Sequence, residues 1–512
     1  MSVRLETVTR NSNTPTRSPR IPPGDRLASA PVITISFSRA CAAGVQLSET
    51  LFRREPLLFE ALTPPLAAVP LVVVKEERSP YFKGLAGGLL MLSLLCAASS
   101  VCTAYSVLTH EEIVDLLWGD QIKPLLLQKY PDATPEQLKE AHSYAYGGSL
   151  IQDIGYYPFG SKDFSDLVHY VRSGDFVVAL LDEAMDVNEY AFALGALAHY
   201  TSDLTGHPLV NQSVASEFPN LRAKYGDHVT YAENPKAHLE TEFGFDVAQV
   251  ARGRYTSDSY HEFIGFQVAR PVLERAFRKT YGLELKDLFF NLDLSIGTFR
   301  RAVSKAIPEM TRVALVTKKK ELVKEIPNLT KRTFLFNLTR AEYERTWGKT
   351  YKKPSFGARI LAALISLIPK VGPFKAMGFR IPDPATENLY FESVNESVDQ
   401  YRIYLRQLST GEPSLPNKDL DTGKKTEAGE YGLTDQTYVM LVNRLAKEKF
   451  TSVSPALRHN LVHFFEDARQ SVPTRGAPTP TKRFREEWRG ALESVERLEL
   501  TGGSQVPNAS PF

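Results

Sequence analysis

Apolar residues recur at three- and four-residue intervals through most of residues 105–325, the period of a helix with one buried face. No run of alternating positions marks a strand, and no segment repeats. The pattern predicts an all-α, multi-helix fold. Its strongest stretch is Asn188 to Pro208, where Ala191, Leu194, Gly195 and Ala198 surround His199 and Asp203, which lie four apart and share a helical face. His207 continues that register by another four, but Gly206 and Pro208 predict a helix end that turns His207 away. Thr109, with Glu112 three residues on, predicts an N-cap for a helix carrying His110, Ile113, Leu116 and Leu117. Pro135 to Tyr146 reads as a helix broken by Gly147-Gly148. An aromatic loop bounded by Gly and Pro follows over 149–160. Phe164 to Val171 is a short helix carrying His169, Asp175 to Asp186 leads into the central helix, and Lys236 to Asp246 carries His238 and Glu242 at helical spacing.

The flanks read differently. Leu85 to Ala98 is an apolar run, short for a membrane span, with Lys83 before it and Cys102 and Ala104 as small residues after it. It predicts a signal peptide over 85–104 and a secreted or periplasmic product; the alternative is a membrane anchor through the same residues. Residues 1–84 carry no periodicity and predict no fold: either a start assigned too far upstream or a tail ahead of an anchor. Residues 326–410 read as a helical extension. Within it Phe356 to Phe379 is either a membrane-surface segment or a buried helix-turn, and Thr386 to Leu408 is an amphipathic helix. Residues 411–512 read as a polar linker (Gly411 to Glu430), two helices, a Pro-rich linker, a charged helix from Lys482 to Leu500 and a disordered tail.

Net charge of +2 gives no support for nucleic acid as a partner. The cysteines, Cys41, Cys96 and Cys102, all precede Ala104, so cleavage there leaves no thiol, and any metal must be held by His, Asp and Glu. Candidate ligands are the new N-terminus at Tyr105, then His110, Asp153, His169, His199, Asp203, His207, His238 and Glu242. Two of these pairs place a His and a carboxylate four apart on one helical face, a set that suits zinc. His142, His228, His261, His459 and His463 fall outside the pattern and are assigned to surface or core.

In this order and spacing the candidates resemble the zinc-dependent phospholipase C family, whose helical fold is shared with fungal single-strand nucleases and the catalytic domain of glycosylphosphatidylinositol phospholipase D. The resemblance covers about residues 105–300. It implies three zinc ions: one on Asp153, His169, His199 and Asp203, a second on His207, His238 and Glu242, and a third on the Tyr105 amine and carbonyl, His110 and the other Asp203 oxygen. Family members commonly begin with Trp or Cys; Tyr105 departs from this at a position whose ligand atoms are backbone. The resemblance implies a phospholipase C acting on phospholipids, with transient contact to a membrane surface, and a monomer. The alternatives are a single-strand nuclease on the same zincs and a zinc-stabilised binding protein without activity. Asp153 is either ligand only or also the base for the attacking water. Tyr156, Tyr157 and Phe159 either line a headgroup pocket or pack the loop.

Overall fold

A computed structural model of the chain describes residues 107–251, 265–303, 379–411, 414–466 and 481–502. All belong to the unit Gly84–Phe512, one of two into which the chain divides. The fold is all-α: among the described residues there is no strand, and an isolated bridge joins Lys418 to Lys425. The helices are α1 (Val107–Leu117), α2 (Lys123–Lys129), α3 (Pro135–Gly148), α4 (Lys162–Tyr170), α5 (Ser173–Glu183), α6 (Val187–Glu217), α7 (Pro219–Tyr225), α8 (Pro235–Ala251), α9 (Arg270–Tyr281), α10 (Leu292–Arg301), α11 (Pro384–Thr410), α12 (Gly432–Lys447), α13 (Pro455–Glu466) and α14 (Lys482–Gly502). None is long and apolar enough to cross a membrane. The segments 1–84 and 85–104, Tyr105, most of 356–379, His261 and the tail after Gly502 lie outside the described residues.

The central element is α6. Asp186 caps it, its carboxylate accepting from the Asn188 and Glu189 amides at 2.9 Å each. It does not end at Gly206, as the sequence suggests, but runs through Pro208 to Glu217. Proline removes the donor that would satisfy the Leu204 carbonyl, a cost of about 3 kcal/mol in an isolated helix. Packing on both sides of α6 outweighs it, so His207 stays in register with His199 and Asp203.

On one side lies α3. The Gly147-Gly148 pair ends no helix before Gly148; it forms a contact instead. A Cβ on Gly148 would sit 1.9 Å from the Phe192 carbonyl oxygen, and one on Gly195 would sit 1.9 Å from that of Ala145. The two backbones therefore meet where no side chain fits. On the other side lies α11, whose Tyr401 hydroxyl donates to the Leu194 carbonyl at 2.8 Å and whose Ser397 hydroxyl pairs with that of Thr205 at 2.8 Å. The described part of the expected extension, 379–410, is thus a wall of the same core, and one buried apolar cluster runs from Val107 to Leu498. Within it α12, α13 and α14 meet through Tyr438 stacked on Phe464 at 3.5 Å and a buried Trp488 packed on Phe465.

Two further readings change. Thr109 is inside α1 rather than its cap: its hydroxyl donates to Asp246 of α8 at 2.8 Å, and the Leu108 amide donates to the same carboxylate at 3.0 Å. A residue 137 positions away thus fastens the helix start. Residues 414–430, read as a polar linker, pack against α4, α5 and α6: Leu415, Asp419, Leu420 and Asp421 are buried, and the Tyr200 hydroxyl donates to the Pro416 carbonyl at 2.6 Å.

Candidate metal centre

Eight of the nine sequence candidates are described, and all eight are buried, none more than 2 % exposed: His110, Asp153, His169, His199, Asp203, His207, His238 and Glu242. They come from five elements. α1 brings His110, α4 brings His169, α6 brings His199, Asp203 and His207, and α8 brings His238 and Glu242. Asp153 sits on the 3-10 turn Ile151–Tyr156. That turn is tied to α4 through Ser165, whose hydroxyl donates to the Gln152 carbonyl and accepts from the Gly155 amide.

The side chains converge in two places. Near the middle of α6, the His199 Nε2 lies 3.1 Å and the His169 Nε2 3.3 Å from Asp203 Oδ2, and the two imidazole nitrogens are 3.3 Å apart. Asp153 Oδ1 is 3.5 Å from His169 Nε2 and 4.0 Å from His199 Nε2. His110 approaches the other oxygen of Asp203, Nε2 to Oδ1 3.6 Å, with its ring stacked on His199 at 4.4 Å. Two turns down α6, the His238 Nε2 is 2.7 Å and the His207 Nε2 3.9 Å from Glu242 Oε1. Three ligand-distance groups result: His110, Asp153 and His199; His169, His199 and Asp203; His207, His238 and Glu242. Asp203 faces two groups at once, one oxygen to each.

Three rings are held by their far nitrogens. His169 Nδ1 is 2.7 Å from the Ser165 carbonyl, His199 Nδ1 2.8 Å from that of Ser149, and His207 Nδ1 2.7 Å from that of Leu420. A carbonyl only accepts, so each Nδ1 carries a hydrogen, and Nε2 is left as the atom that can turn a lone pair to a metal. The close passage of α3 at Gly148 and Gly195 brings the Ser149 carbonyl to His199.

The electrostatics call for a cation. None of the carboxylate oxygens of Asp153, Asp203 or Glu242 accepts a well-formed hydrogen bond, although all are buried. Burial, reinforced by Asp153 and Asp203, pushes the Glu242 carboxyl well above the usual range, and burial raises Asp153 too. At Asp203 burial also acts upward, but the His199 and His207 imidazoles outweigh it and hold the group well below that range. Burial lowers His110, with help from His199. At His169 burial is outweighed by the Asp153 and Asp203 carboxylates, which lift it well above its ordinary value. Buried charges left this way are costly unless a metal pairs with them. Five imidazoles and three carboxylates, three of the rings already held by their outer nitrogens, are a donor set that fits zinc.

Sequence reasoning missed the residues that close the site from elsewhere. Tyr231, on the loop before α8, packs near His238 at 5.8 Å between ring centres and near Tyr156 at 6.4 Å, and Tyr156 in turn lies 6.2 Å from His169. Tyr156 is therefore beside the metal groups, while Tyr157 packs on Phe299 and Phe159 stands 42 % exposed. Asp421 was also missed: its Oδ1 is 3.4 Å from His207 Nδ1. The one hint was Leu420 within a polar run. His142 stacks on Trp118 at 3.7 Å, and His228, His459 and His463 are exposed.

Residues 109–291 match the family model described as zinc dependent phospholipase C. No curated protein and no solved structure matches the chain.

Proposed function

Since residues 109–291 are a zinc-dependent phospholipase C domain, we propose that the chain is a secreted phospholipase C that removes phospholipid headgroups using three zinc ions. The phosphodiester chemistry belongs to the family; the number of ions, their ligands, the substrate and secretion are our reading. The observation that carries it is the sharing of Asp203: one oxygen lies toward His110, the other toward His169 and His199, while His207, His238 and Glu242 gather one turn further along α6. On this reading Asp153, His169, His199 and Asp203 hold one ion and His207, His238 and Glu242 a second. His110, Asp203 Oδ1 and a free Tyr105 amine hold the third, which requires cleavage after Ala104.

When bound, zinc supplies positive charge against the phosphate oxygens and brings the pKa of water down to about 7. The chain's own groups do the rest. The carbonyls of Ser165, Ser149 and Leu420 fix the rings, so the ligand lone pairs need no reorganisation on binding. On this reading Asp153 can also take the proton of the attacking water, a role the variant below separates from that of ligand. Tyr156 and Tyr231 are buried beside the two groups; on this reading their rings lie close enough to a bound headgroup to meet a quaternary ammonium by cation–π contact.

The test is hydrolysis of phosphatidylcholine, single-stranded DNA and a bis-nitrophenyl phosphate diester by protein secreted with its leader, before and after zinc removal. Zinc-restored cleavage of phosphatidylcholine is expected. Preference for DNA would make the protein a nuclease on the same centre, and no turnover on any substrate would sink the hydrolase reading. Asp153→Asn separates its two roles: lost turnover with full zinc content identifies a base, lost zinc a ligand.

A further inference from the structure

The segment 414–431 lies well outside the family-matched residues 109–291, yet it reaches the centre. Leu420 touches both halves: its carbonyl accepts from His207 Nδ1 at 2.7 Å, and its amide donates to the His169 carbonyl at 3.2 Å. Next to it, the Asp421 carboxylate is 3 % exposed and places Oδ1 3.4 Å from the same His207 nitrogen. Its other oxygen is held from two sides, by the Tyr431 hydroxyl at 2.6 Å and the Tyr170 hydroxyl at 2.9 Å. Its carbonyl accepts from the Asn211 side chain at 2.8 Å, one turn past His207 on α6. The turn that follows fits against α6 at Pro208: a Cβ on Gly423, which has φ +69°, would lie only 2.9 Å from the Leu204 carbonyl oxygen. Here a left-handed residue without a side chain is required.

Two tyrosines hold one buried carboxylate against the outer nitrogen of a histidine whose inner nitrogen faces Glu242, and an asparagine holds the backbone that carries it. From this we infer that Asp421 is a positioning residue of the His207–His238–Glu242 metal group, supplied by a C-terminal loop that the family-matched domain does not contain. Resting on the metal reading above, it acts through His207: the carbonyl of Leu420 sets the tautomer, and the carboxylate fixes the ring and makes Nε2 a stronger donor to the ion. Outer partners of this kind change metal affinity by about 10–100-fold. Because the Leu420 hydrogen bond survives its loss, Asp421→Asn should sit near tenfold.

Asp419 provides the contrast. It is equally buried and organises the same loop, accepting from the Asp421 and Thr422 amides and the Thr434 hydroxyl, without facing His207. The experiment titrates the zinc-loaded full chain with the chromogenic chelator 4-(2-pyridylazo)resorcinol and compares wild type, Asp421→Asn, Asp419→Asn and Tyr431→Phe. The expected result is that one zinc leaves Asp421→Asn about tenfold more readily. Tyr431→Phe, which keeps the carboxylate but removes one of the two hydroxyls that hold it, should lie between that variant and wild type. Asp419→Asn should hold zinc like wild type even if it melts lower. Equal zinc release by Asp421→Asn and Asp419→Asn would reduce Asp421 to a loop-folding residue and overturn the inference while the metal reading stands. Wild type that holds no zinc would overturn both. If Asp421→Asn does not fold, Tyr431→Phe decides: zinc release like wild type's refutes the role.

Discussion

Replacing Gly195 with alanine tests whether the passage of α3 over α6 builds the metal centre. The added Cβ would lie 1.9 Å from the Ala145 carbonyl oxygen, against about 3.4 Å for ordinary contact, so the helices must part by about 1.5 Å there. Overpacking a filled core costs typically 1–3 kcal/mol, and a displacement this large belongs at the top of that range. Alanine returns about 1 kcal/mol of helix propensity, leaving a net loss of about 2 kcal/mol, or about 4–8 °C in melting temperature. The same separation pulls the Ser149 carbonyl, now 2.8 Å from His199 Nδ1, beyond hydrogen-bond reach. Gly195→Ala should therefore melt lower and also release zinc more easily. The control is Gly297→Ala on α10, where a Cβ meets nothing within 4 Å; there only propensity acts, and the protein should be stabilised by about 1 kcal/mol. Thermal melts and zinc retention after dialysis read both effects. A Gly195→Ala protein melting within 2 °C of wild type (about 1 kcal/mol or less) with its zinc intact would refute the close-contact argument.

Three further outcomes are expected. Burial, aided by Asp115, pushes the Glu112 carboxyl from 4.5 up to about 8 in the folded chain. The native state then binds that proton more tightly than the unfolded chain, so the group's contribution is full at acid pH and is lost as pH rises from 4.5 to about 8; with Glu112 partly exposed, Glu112→Gln should melt as wild type does at pH about 4 and be more stable by about 1–2 kcal/mol at pH about 8, and an offset independent of pH would refute this. Zinc added to metal-free protein at neutral pH in weak buffer should release protons, because Glu242 and His169 both hold theirs well above their ordinary ranges; zinc affinity should fall as pH falls, and an indicator dye showing no proton release would count against these carboxyl and imidazole groups as ligands. Asp246→Ala should cost about 1–2 kcal/mol by removing the acceptor for the Leu108 amide and Thr109 hydroxyl, and should cost zinc at His110 before the other groups, as read by metal content after partial chelation.

What was legible in the chain follows the range of the interaction. His199 with Asp203, and His238 with Glu242, are four-residue pairs whose common face is set by helix geometry alone, so spacing in the sequence was spacing in space. The helices could be read for the same reason; the order of the ligands came instead from the resemblance to the zinc-dependent phospholipase C family. His207 shows where local rules stop: Pro208 predicts a helix end from its own chemistry, and only the flanking α3 and α11 keep the helix going. Gly148 and Gly195 read as breakers or fillers because their work is to be absent from a contact made by another helix. Thr109 had the form of a cap and bonds instead to Asp246 on α8. The loop from 414 to 431 is the extreme case: polar, Asp- and Lys-rich and more than 200 residues from His207, it has the composition of a solvated linker. Asp419 and Asp421 are buried only because Tyr170, Tyr431 and Thr434 wait for them. A buried polar segment is affordable only when each of its groups is met, and composition does not record whether partners exist. The candidate ligands can therefore be found one helix at a time, whereas the parts that orient them emerge only when the distant C-terminal region is folded against the helices that carry them.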